Sequence, residues 1–428
     1  MCMKTKVLSF VLVLMVVLAG CSSSETGGGD GGKTEIDFWF PVAVGGDVAK
    51  IVDGMVADFE KENPDIKVNA KYGGSYAETM TQVMASAQAG NAPELAVLFS
   101  IDLFTLLEND LIEELNPMFD EKYMDDFYDG FMANSSIGDK VYSLPFQRST
   151  IVLYYNKDAF KEAGLDPEAP PENWDQLVEY GKKLTKNGGK DQWGLEIPST
   201  GYQYWMFQAL ALQTEKNIMA QDGKEVYFNA PYAKEAMEFW LSLGKEHKIM
   251  PEGVTEWATV PSDFLSGKTA MMYHTTGNLT NVKNNADFDF GVSFLPANNQ
   301  YGSPTGGGNI YLFKDLPKAN KEAAVKFMKF LTEPERVAQW SIDTGYVATT
   351  ESAYETDLLK KYVEEFPAAL VAREQLEYAD SELATYQNGE VQKIFNDHIQ
   401  SILTGQSTVD EGLDNAQKKA EKVLEPFQ

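Results

Sequence analysis

The sequence predicts an α/β fold of two lobes, in which helices flank sheets that are rich in parallel strands. Strand-like and helix-like segments alternate from Glu35 to Phe99, and such alternation is typical of a parallel sheet with helices on both faces. The rhythm breaks at 141–155, where two β-rich pieces flank a more polar stretch. Because a chain of 428 residues is longer than one core usually supports, this break predicts a crossing into a second lobe.

The elements of the first lobe follow from hydrophobic periodicity and from turn residues. Apolar side chains recur every three or four positions over 48–61, which predicts an amphipathic helix. The Asn63-Pro64 pair should end that helix, since proline does not continue one. In chain order, the predicted strands are 36–40, 66–72 and 95–99, and a second helix is predicted at 76–89.

The remainder of the chain predicts a second lobe and two further crossings. Predicted second-lobe elements are helices at 174–184, 201–213, 233–245 and 261–266 and a strand at 269–273. Segment 288–294 predicts the return crossing, and 345–348 predicts the third. Between them lie a glycine-rich and then β-rich segment at 306–313 and helices at 321–331 and 334–342, and a mostly helical tail follows from 353. The predicted limits are 35–146 and 300–346 for the N-terminal lobe and 147–299 and 347–428 for the C-terminal lobe.

The first twenty residues have the features of an export signal. Two lysines precede an apolar run that is too short to span a bilayer and that ends in Leu18-Ala19-Gly20-Cys21. This ending resembles the bacterial lipobox, in which the cysteine is acylated. We therefore predict a lipoprotein signal peptide over 1–20, a lipid on Cys21, a flexible tether over 21–34 and a place on the extracellular face of the cell membrane. A cleaved signal without lipid is the alternative.

Composition excludes several function classes. The net charge of −28 argues against a nucleic-acid partner, which would need a basic footprint. His247, His274 and His398 are far apart and have no cysteine partners, so we predict no metal site and no cofactor. An enzyme is not indicated, because the sequence contains no G-x-S-x-G motif and no cysteine after Cys21. A glycosidase needs two carboxylates in one cleft, and with 64 acidic residues the sequence does not exclude such a pair.

Five short motifs occur in a fixed order along the predicted mature chain. They are Asn63-Pro64-Asp65, Gly90-Asn91-Ala92-Pro93-Glu94, Tyr154-Tyr155-Asn156-Lys157-Asp158-Ala159-Phe160, Gly267-Lys268-Thr269-Ala270-Met271 and Leu331-Thr332-Glu333-Pro334-Glu335. In this order they resemble the extracellular solute-binding proteins of ABC importers that take up carbohydrates. Within that family, the sequence of segments 153–168 and 338–346 is most similar to that of the members that bind glycerol 3-phosphate.

The resemblance implies a periplasmic-binding-protein-like fold of type II, with three hinge crossings and a ligand cleft that closes between the lobes. It also implies a monomer that captures a mono- or oligosaccharide and delivers it to the permease subunits of an ABC transporter. Binding of glycerol 3-phosphate or a glycerophosphodiester is the alternative, and a secreted glycan-acting enzyme is a further one.

Seven ligand contacts are implied by the resemblance. They are Tyr76, Ser149, Tyr202, Trp205, Thr275, Gly308 and Tyr346. Two polar anchors of the family do not match, because Ser100 replaces a glutamate for glycerol hydroxyls and Gln392 replaces an arginine for phosphate. Arg148, next to Ser149, is then the candidate for a charged contact from another wall.

Two further candidates come from the pattern of the residues themselves. Trp39 is near the end of the first predicted strand, where open parallel sheets place their ligand crevices, although it could equally be a core residue. The run Gly306-Gly307-Gly308-Asn309 permits close approach of the backbone to a ligand, so Asn309 joins the predicted site.

Overall fold

The computed structural model describes residues 33–44 and 47–428, so the predicted signal peptide and Cys21 lie outside the described residues. Ten strands are present in this part of the chain: β1 (Thr34–Phe40), β2 (Ile66–Tyr72), β3 (Leu95–Phe99), β4 (Ser136–Ile137), β5 (Lys140–Val141), β6 (Ser143–Asn156), β7 (Met271–Thr275), β8 (Phe290–Ser293), β9 (Ser303–Leu312) and β10 (Ala379–Asp380).

Eighteen α-helices accompany these strands in the described residues. They are α1 (Val48–Glu62), α2 (Tyr76–Gln88), α3 (Leu103–Glu108), α4 (Glu121–Met124), α5 (Asp129–Met132), α6 (Lys157–Glu162), α7 (Trp174–Leu184), α8 (Gln203–Thr214), α9 (Pro231–Lys245), α10 (Thr259–Leu265), α11 (Leu279–Asn285), α12 (Lys318–Leu331), α13 (Pro334–Thr344), α14 (Glu351–Tyr354), α15 (Asp357–Glu365), α16 (Val371–Glu374), α17 (Asn388–Leu403) and α18 (Val409–Leu424). Within 33–44 and 47–428, no helix has the length and apolar character that a bilayer crossing requires.

The main sheet has the strand order β2-β1-β3-β9-β6-β7, with β8 paired to β6 and β10 paired to β9. Strand β1 pairs in parallel with both β2 and β3, as the strand–helix alternation predicts. Strand β9 is antiparallel to β3 and to β6, so the sheet is mixed at its centre. The first-lobe strands therefore follow the predicted parallel arrangement, and the crossing strands do not.

Strands β6 and β9 connect the two lobes. All fourteen residues of β6 are buried, and its first half pairs with β9. Its second half pairs with β7 and β8 in the other lobe. The prediction that 288–294 is the return crossing is wrong, because β8 stays beside Leu153–156 and β9 makes the return. The third crossing passes next to β6, where the Val347 N–H donates to the Arg148 carbonyl at 2.9 Å.

Two large cores lie on either side of these crossings. In the first lobe, the ring of Phe327 on α12 packs against Phe38 and Phe59, with centroids 5.3 and 4.8 Å away. In the second lobe, Phe395 on α17 packs against Phe207 on α8 at 5.2 Å. Every residue of α8 is buried, including its polar residues Gln203, Gln208 and Gln213. The two cores support two lobes, while the predicted lobe limits stay a prediction.

Candidate functional site

A narrow cleft lies where the crossing strands meet side chains of both lobes. Its lining residues are Ala43, Val44, Tyr76, Phe99, Ser149, Tyr202, Trp205, Trp257, Thr275, Gly307, Tyr346 and Glu382. Six of these twelve residues are aromatic, and one is a carboxylate. No Lys or Arg lines the cleft within the described part of the chain. Such a lining suits a ligand with both apolar faces and polar edges.

Tyr76 is fixed by the way in which α2 begins. The Ser75 side chain accepts from the Glu78 N–H, and the Glu78 carboxylate accepts from the Ser75 N–H at 2.7 Å, which forms a capping box. Tyr76, the first helical residue, stacks on Phe99 with centroids 3.9 Å apart. Its hydroxyl donates to Gln147 Oε1 at 2.8 Å. The ring is therefore held in place before any ligand arrives.

The second lobe contributes three rings that support one another. The indole N–H of Trp205 donates to the Thr305 carbonyl at 2.9 Å, which ties α8 to β9. Tyr202 meets Trp257 edge to face with centroids 4.5 Å apart. Trp257 also packs on the buried His274 ring at 4.0 Å. These contacts give the second-lobe wall a defined shape.

The crossing segments contribute the polar groups and one further ring. Ser149 on β6 and Thr275 at the end of β7 both place hydroxyls at the cleft. The Thr275 hydroxyl accepts from the Gly277 N–H at 3.1 Å. Tyr346, on the third crossing, lies near the Tyr76 hydroxyl, and burial raises the pKa of the Tyr346 hydroxyl. Thr275 lies on a second-lobe strand, whereas Ser149 on β6, Gly307 on β9 and Tyr346 bring all three crossings to the cleft.

Glu382 is the one acidic side chain of the cleft, and it is only 2% exposed. Its Oε1 accepts from the Tyr204 hydroxyl at 2.6 Å. Its Oε2 has no hydrogen bond of ordinary geometry among the described residues, although the Gly307 amide lies near enough to lower its pKa slightly. Burial is the dominant effect and raises the pKa of Glu382 to about 7, against smaller opposing effects of Tyr204 and Arg148.

The cleft brings together six of the predicted ligand contacts. They are Tyr76, Ser149, Tyr202, Trp205, Thr275 and Tyr346. The other predicted ligand residues do not line it. They are Trp39, Ser100, Arg148, Gly308, Asn309 and Gln392.

Arg148 is fully buried beneath the cleft and not in its wall. One guanidinium nitrogen donates to the Gly307 carbonyl and to Asn309 Oδ1, both at 3.3 Å. The other donates to Thr305 Oγ1 at 3.2 Å. The amide nitrogen of Asn309 donates in turn to Ser143 Oγ at 2.9 Å. Both residues tie β6 to β9, and burial lowers the pKa of Arg148 to about 10.

Gly308 and Trp39 also have other environments. A Cβ on Gly308 would stand 2.7 Å from the Tyr76 ring, so this glycine leaves room for that ring, and Gly307 is the one at the cleft. The Trp39 ring is covered by the Lys71 ammonium at 3.6 Å and packs in the first lobe. Trp39 was expected either in the cleft or in the core, and the structure places it in the core.

Ser100 and Gln392 lie outside the cleft. Ser100 lines a separate cavity of about 380 Å³ that it shares with Phe104 and Asp222. Gln392 Nε2 donates to the Leu383 carbonyl at 3.4 Å, and its side chain lies near the Tyr204 hydroxyl, which is the donor to Glu382. Tyr204 therefore separates position 392 from the cleft. The described residues contain no group of three or more side chains that could hold a metal ion.

Six lining residues are not among the predicted contacts. They are Ala43, Val44, Phe99, Trp257, Gly307 and Glu382. Phe99 could have been suspected, because it ends the predicted strand at 95–99 and such ends face ligand crevices. Trp257 and Glu382 are in irregular segments, and no local motif marks either residue.

A two-lobed α/β protein with an aromatic cleft between its lobes belongs to the class of ligand-binding clamps. The family described as bacterial extracellular solute-binding protein matches residues 54–368, and the chain belongs to that family. The predicted recognition and fold are therefore confirmed. The members bind solutes and are not enzymes, so the chain is a substrate-binding protein and the alternative of a glycan-acting enzyme is dropped.

Named relatives and solved structures agree with this assignment. The sn-glycerol-3-phosphate-binding periplasmic protein UgpB of Escherichia coli (strain K12) is 28% identical over 421 residues, which cover 92% of this chain and 93% of the relative. The cyclic alpha-maltosyl-1,6-maltose binding protein of Arthrobacter globiformis is 25% identical, with a TM-score of 0.79 over 92% of this chain and all of that one. UgpB of Mycobacterium tuberculosis, in complex with glycerophosphocholine, has a TM-score of 0.82 at 23% identity, with 92% and 100% coverage.

Proposed function

We propose that this protein captures a mono- or oligosaccharide in the cleft between its lobes and presents it to an ABC importer. The observation that carries the proposal is a set of six aromatic rings, contributed by both lobes and the third crossing, around a few hydroxyls and one carboxylate. Aromatic faces pack against the C–H faces of a sugar ring. Hydroxyl and carboxylate groups then hydrogen-bond the sugar hydroxyls at the ring edges.

Capture and release follow from the same geometry. Phe99 and Tyr76 belong to the first lobe, while Trp205 and Trp257 belong to the second. A ligand can contact both sets only when the lobes are closed, so its binding energy shifts the open–closed equilibrium toward the closed form. The closed form is then the one that the permease subunits would receive. The protein itself carries out no covalent step.

Glycerol 3-phosphate or a glycerophosphodiester is the second candidate, because the relative that is 28% identical is named for glycerol 3-phosphate. A phosphate is usually bound by Arg or Lys through charge-assisted hydrogen bonds. Arg148 is committed to β9 oxygens beneath the cleft, and the cleft carboxylate would repel a phosphate. A sugar is thus favoured as the ligand. Thermal unfolding of the protein in the presence of a panel of sugars and glycerol phosphates tests this choice. A ligand at 100 times its Kd stabilises the protein by about 2.7 kcal/mol, which thermal unfolding detects.

Trp257→Ala should weaken binding of the sugar found in this panel by about ten- to a hundredfold, since burial of a large apolar side chain is worth about 1.5 to 3 kcal/mol. Isothermal titration calorimetry measures the change. Trp39→Ala is the matched control, because Trp39 is also half-buried but packs in the first lobe outside the cleft. Equal affinity losses in the two variants, or none in Trp257→Ala, would contradict the proposed site.

We further propose that the protein is a monomer held on the extracellular face of the membrane by a lipid on Cys21. The family is extracellular, and the lipobox-like ending Leu18-Ala19-Gly20-Cys21 supports the anchor. Cys21→Ser should move the protein from the membrane fraction to the soluble fraction and remove the lipid mass from its N-terminal peptide. Cys2→Ser, which changes the cysteine of the predicted signal peptide, should leave both unchanged. Membrane retention of Cys21→Ser would contradict lipid anchoring.

A further inference from the structure

Glu382 is a buried carboxylate inside an otherwise uncharged, aromatic-lined cleft. We propose that the solute bound there carries a positively charged ammonium group, which Glu382 and the surrounding rings receive. This inference deepens the proposed function and rests on the cleft being the solute site. It names the ligand as a hydroxylated solute with either a protonated amine, as in an amino sugar, or a quaternary ammonium group.

The Glu382 residue is held in place by hydrogen bonds, and one of its two carboxylate oxygens has no partner of ordinary geometry among the described residues. The Glu382 N–H donates to Asn134 Oδ1 at 3.1 Å, and its carbonyl accepts from Asn134 Nδ2 at 3.2 Å. Tyr204 occupies Oε1 at 2.6 Å. Oε2, which is buried, has no hydrogen bond of ordinary geometry in the described chain. A buried ionised oxygen without a partner is costly, so a bound cation would satisfy it with a large gain.

No side chain of the cleft supplies that cation. The Arg148 guanidinium lowers the pKa of Glu382 from beneath, but its hydrogen bonds go to neutral oxygens of Gly307, Asn309 and Thr305. Asp102, a second carboxylate nearby, has the opposite effect and raises the pKa of Glu382. In the described residues, neither Arg148 nor any Lys forms an ion pair with Glu382. The charge facing the cleft is therefore negative.

The rings around the carboxylate favour the same ligand chemistry. An ammonium group within about 6 Å of an aromatic face is attracted to it, most strongly at sites shielded from water. Six rings line the cleft, contributed by Tyr76, Phe99, Tyr202, Trp205, Trp257 and Tyr346. Their negative faces and the Glu382 carboxylate attract a cation, whereas a phosphate would meet repulsion from both. The cleft should therefore bind a positively charged solute more tightly than the neutral analogue of that solute.

Two pairs of small molecules test the inference in the full-length protein. Glucosamine and glucose differ by an amine in place of a hydroxyl, and choline and 3,3-dimethyl-1-butanol differ by the positive charge alone. Calorimetry at pH 7.5 should show the charged member of at least one pair binding at least about tenfold more tightly than its neutral partner. A preference confined to glucosamine indicates an amino sugar and keeps the proposed saccharide. A preference confined to choline indicates a quaternary ammonium solute, which then replaces the saccharide as the proposed ligand.

Glu382→Gln should reduce this preference to less than about twofold, because the amide keeps the shape of the side chain without its charge. Glu196→Gln is the matched control: Glu196 is also buried, has a carboxylate oxygen without a partner, and has a pKa raised to about 7 by burial, but does not line the cleft. It should retain the full preference. Retention of the preference in Glu382→Gln would overturn the assigned role.

A pH series on the unmutated protein gives a second readout. The pKa of about 7 means that Glu382 is mostly protonated at pH 6 and mostly ionised at pH 8. Choline keeps its charge throughout, so its affinity should rise up to about tenfold over this range, while that of 3,3-dimethyl-1-butanol should stay constant. If neutral sugars bind and charged members show no advantage, the inference fails and the proposed function stands. If no sugar or ammonium solute binds, both fail.

Discussion

Gly307→Ala should lower the free energy of unfolding by about 3 to 5 kcal/mol, the sum of backbone strain and steric overlap. The backbone of Gly307 has φ +100°, a conformation that residues with a Cβ rarely adopt. A Cβ placed there would stand 1.9 Å from the Gln147 carbonyl oxygen. Because that oxygen belongs to the backbone of β6, it can move away only if the pairing of the two crossing strands is disrupted.

The change should also reach the ligand site. Gly307 lines the cleft, and its carbonyl accepts from Arg148 beneath it at 3.3 Å. Displacement of this residue therefore alters the cleft wall and its support together. Urea unfolding and ligand calorimetry measure the two effects, and we expect both stability and affinity to fall.

Gly54→Ala is the matched control. Gly54 is an exposed residue inside α1, and a Cβ there would meet nothing within 4 Å. Alanine is favoured over glycine in a helix by about 0.5 to 1 kcal/mol, so this variant should be as stable as the parent or slightly more so. Similar behaviour of the two variants would show that the crossing strands are more plastic than their pairing indicates.

Much of the fold could be predicted because most helices and strands are marked by the sequence pattern of their own segment. The apolar stripe of α1 and the helix α7, at 174–184, have the predicted positions within a residue. Strand β3, at 95–99, was predicted without error. In each case the pattern of one segment is sufficient, since amphipathic periodicity and flanking proline or glycine mark both its type and its ends.

The return crossing could not be predicted in this way. Segments 288–294 and 306–313 both have strand-like composition, and nothing local says which one leaves the second lobe. The answer depends on pairing with β6: β8 joins its distal end and β9 its proximal half. Such register is set by pairs of residues that are 134 to 168 positions apart in the chain, which a pattern of single residues does not encode.

The residues of the cleft likewise divide into those that could be predicted and those that could not. The positions implied by the resemblance, such as Tyr76 and Tyr346, lie at the cleft because homologous elements place them there. Gly308 and Gln392 show the limit of that transfer, and Arg148 shows the limit of inference from a neighbouring position. A side chain next to a lining residue on a strand points to the opposite face, so Arg148 is buried behind Ser149. Glu382 was missed since its segment has no periodicity.

Arg148→Met should destabilise the protein by about 3 to 5 kcal/mol at pH 8, since each buried acceptor left without its donor costs about 1 to 3 kcal/mol. Three buried oxygens, from Gly307, Asn309 and Thr305, would lose their donor. Glu382 would also lose the nearby positive charge that lowers its pKa. Arg148 remains charged throughout this comparison, because its pKa of about 10 is above the range tested.

The pH dependence separates these two contributions. The pKa of Glu382 is raised in the folded state, so its favourable contribution is complete below the unfolded value of about 4.5 and is lost as the pH rises through about 7. Removal of Arg148 raises that pKa further and extends the loss to higher pH. The destabilisation by Arg148→Met should therefore be smaller at pH 5 than at pH 8, as followed by urea unfolding at both values.

Two control variants make this result specific. In the double variant with Glu382→Gln, the difference between pH 5 and pH 8 should disappear, while the loss from the three buried oxygens should remain. Arg336→Met removes a guanidinium that pairs near the surface with Asp58 and Glu62, and such pairs contribute at most about 1 kcal/mol. If Arg148→Met instead kept its stability and lost only ligand affinity, the guanidinium would be a ligand contact and the buried tie between β6 and β9 would be refuted.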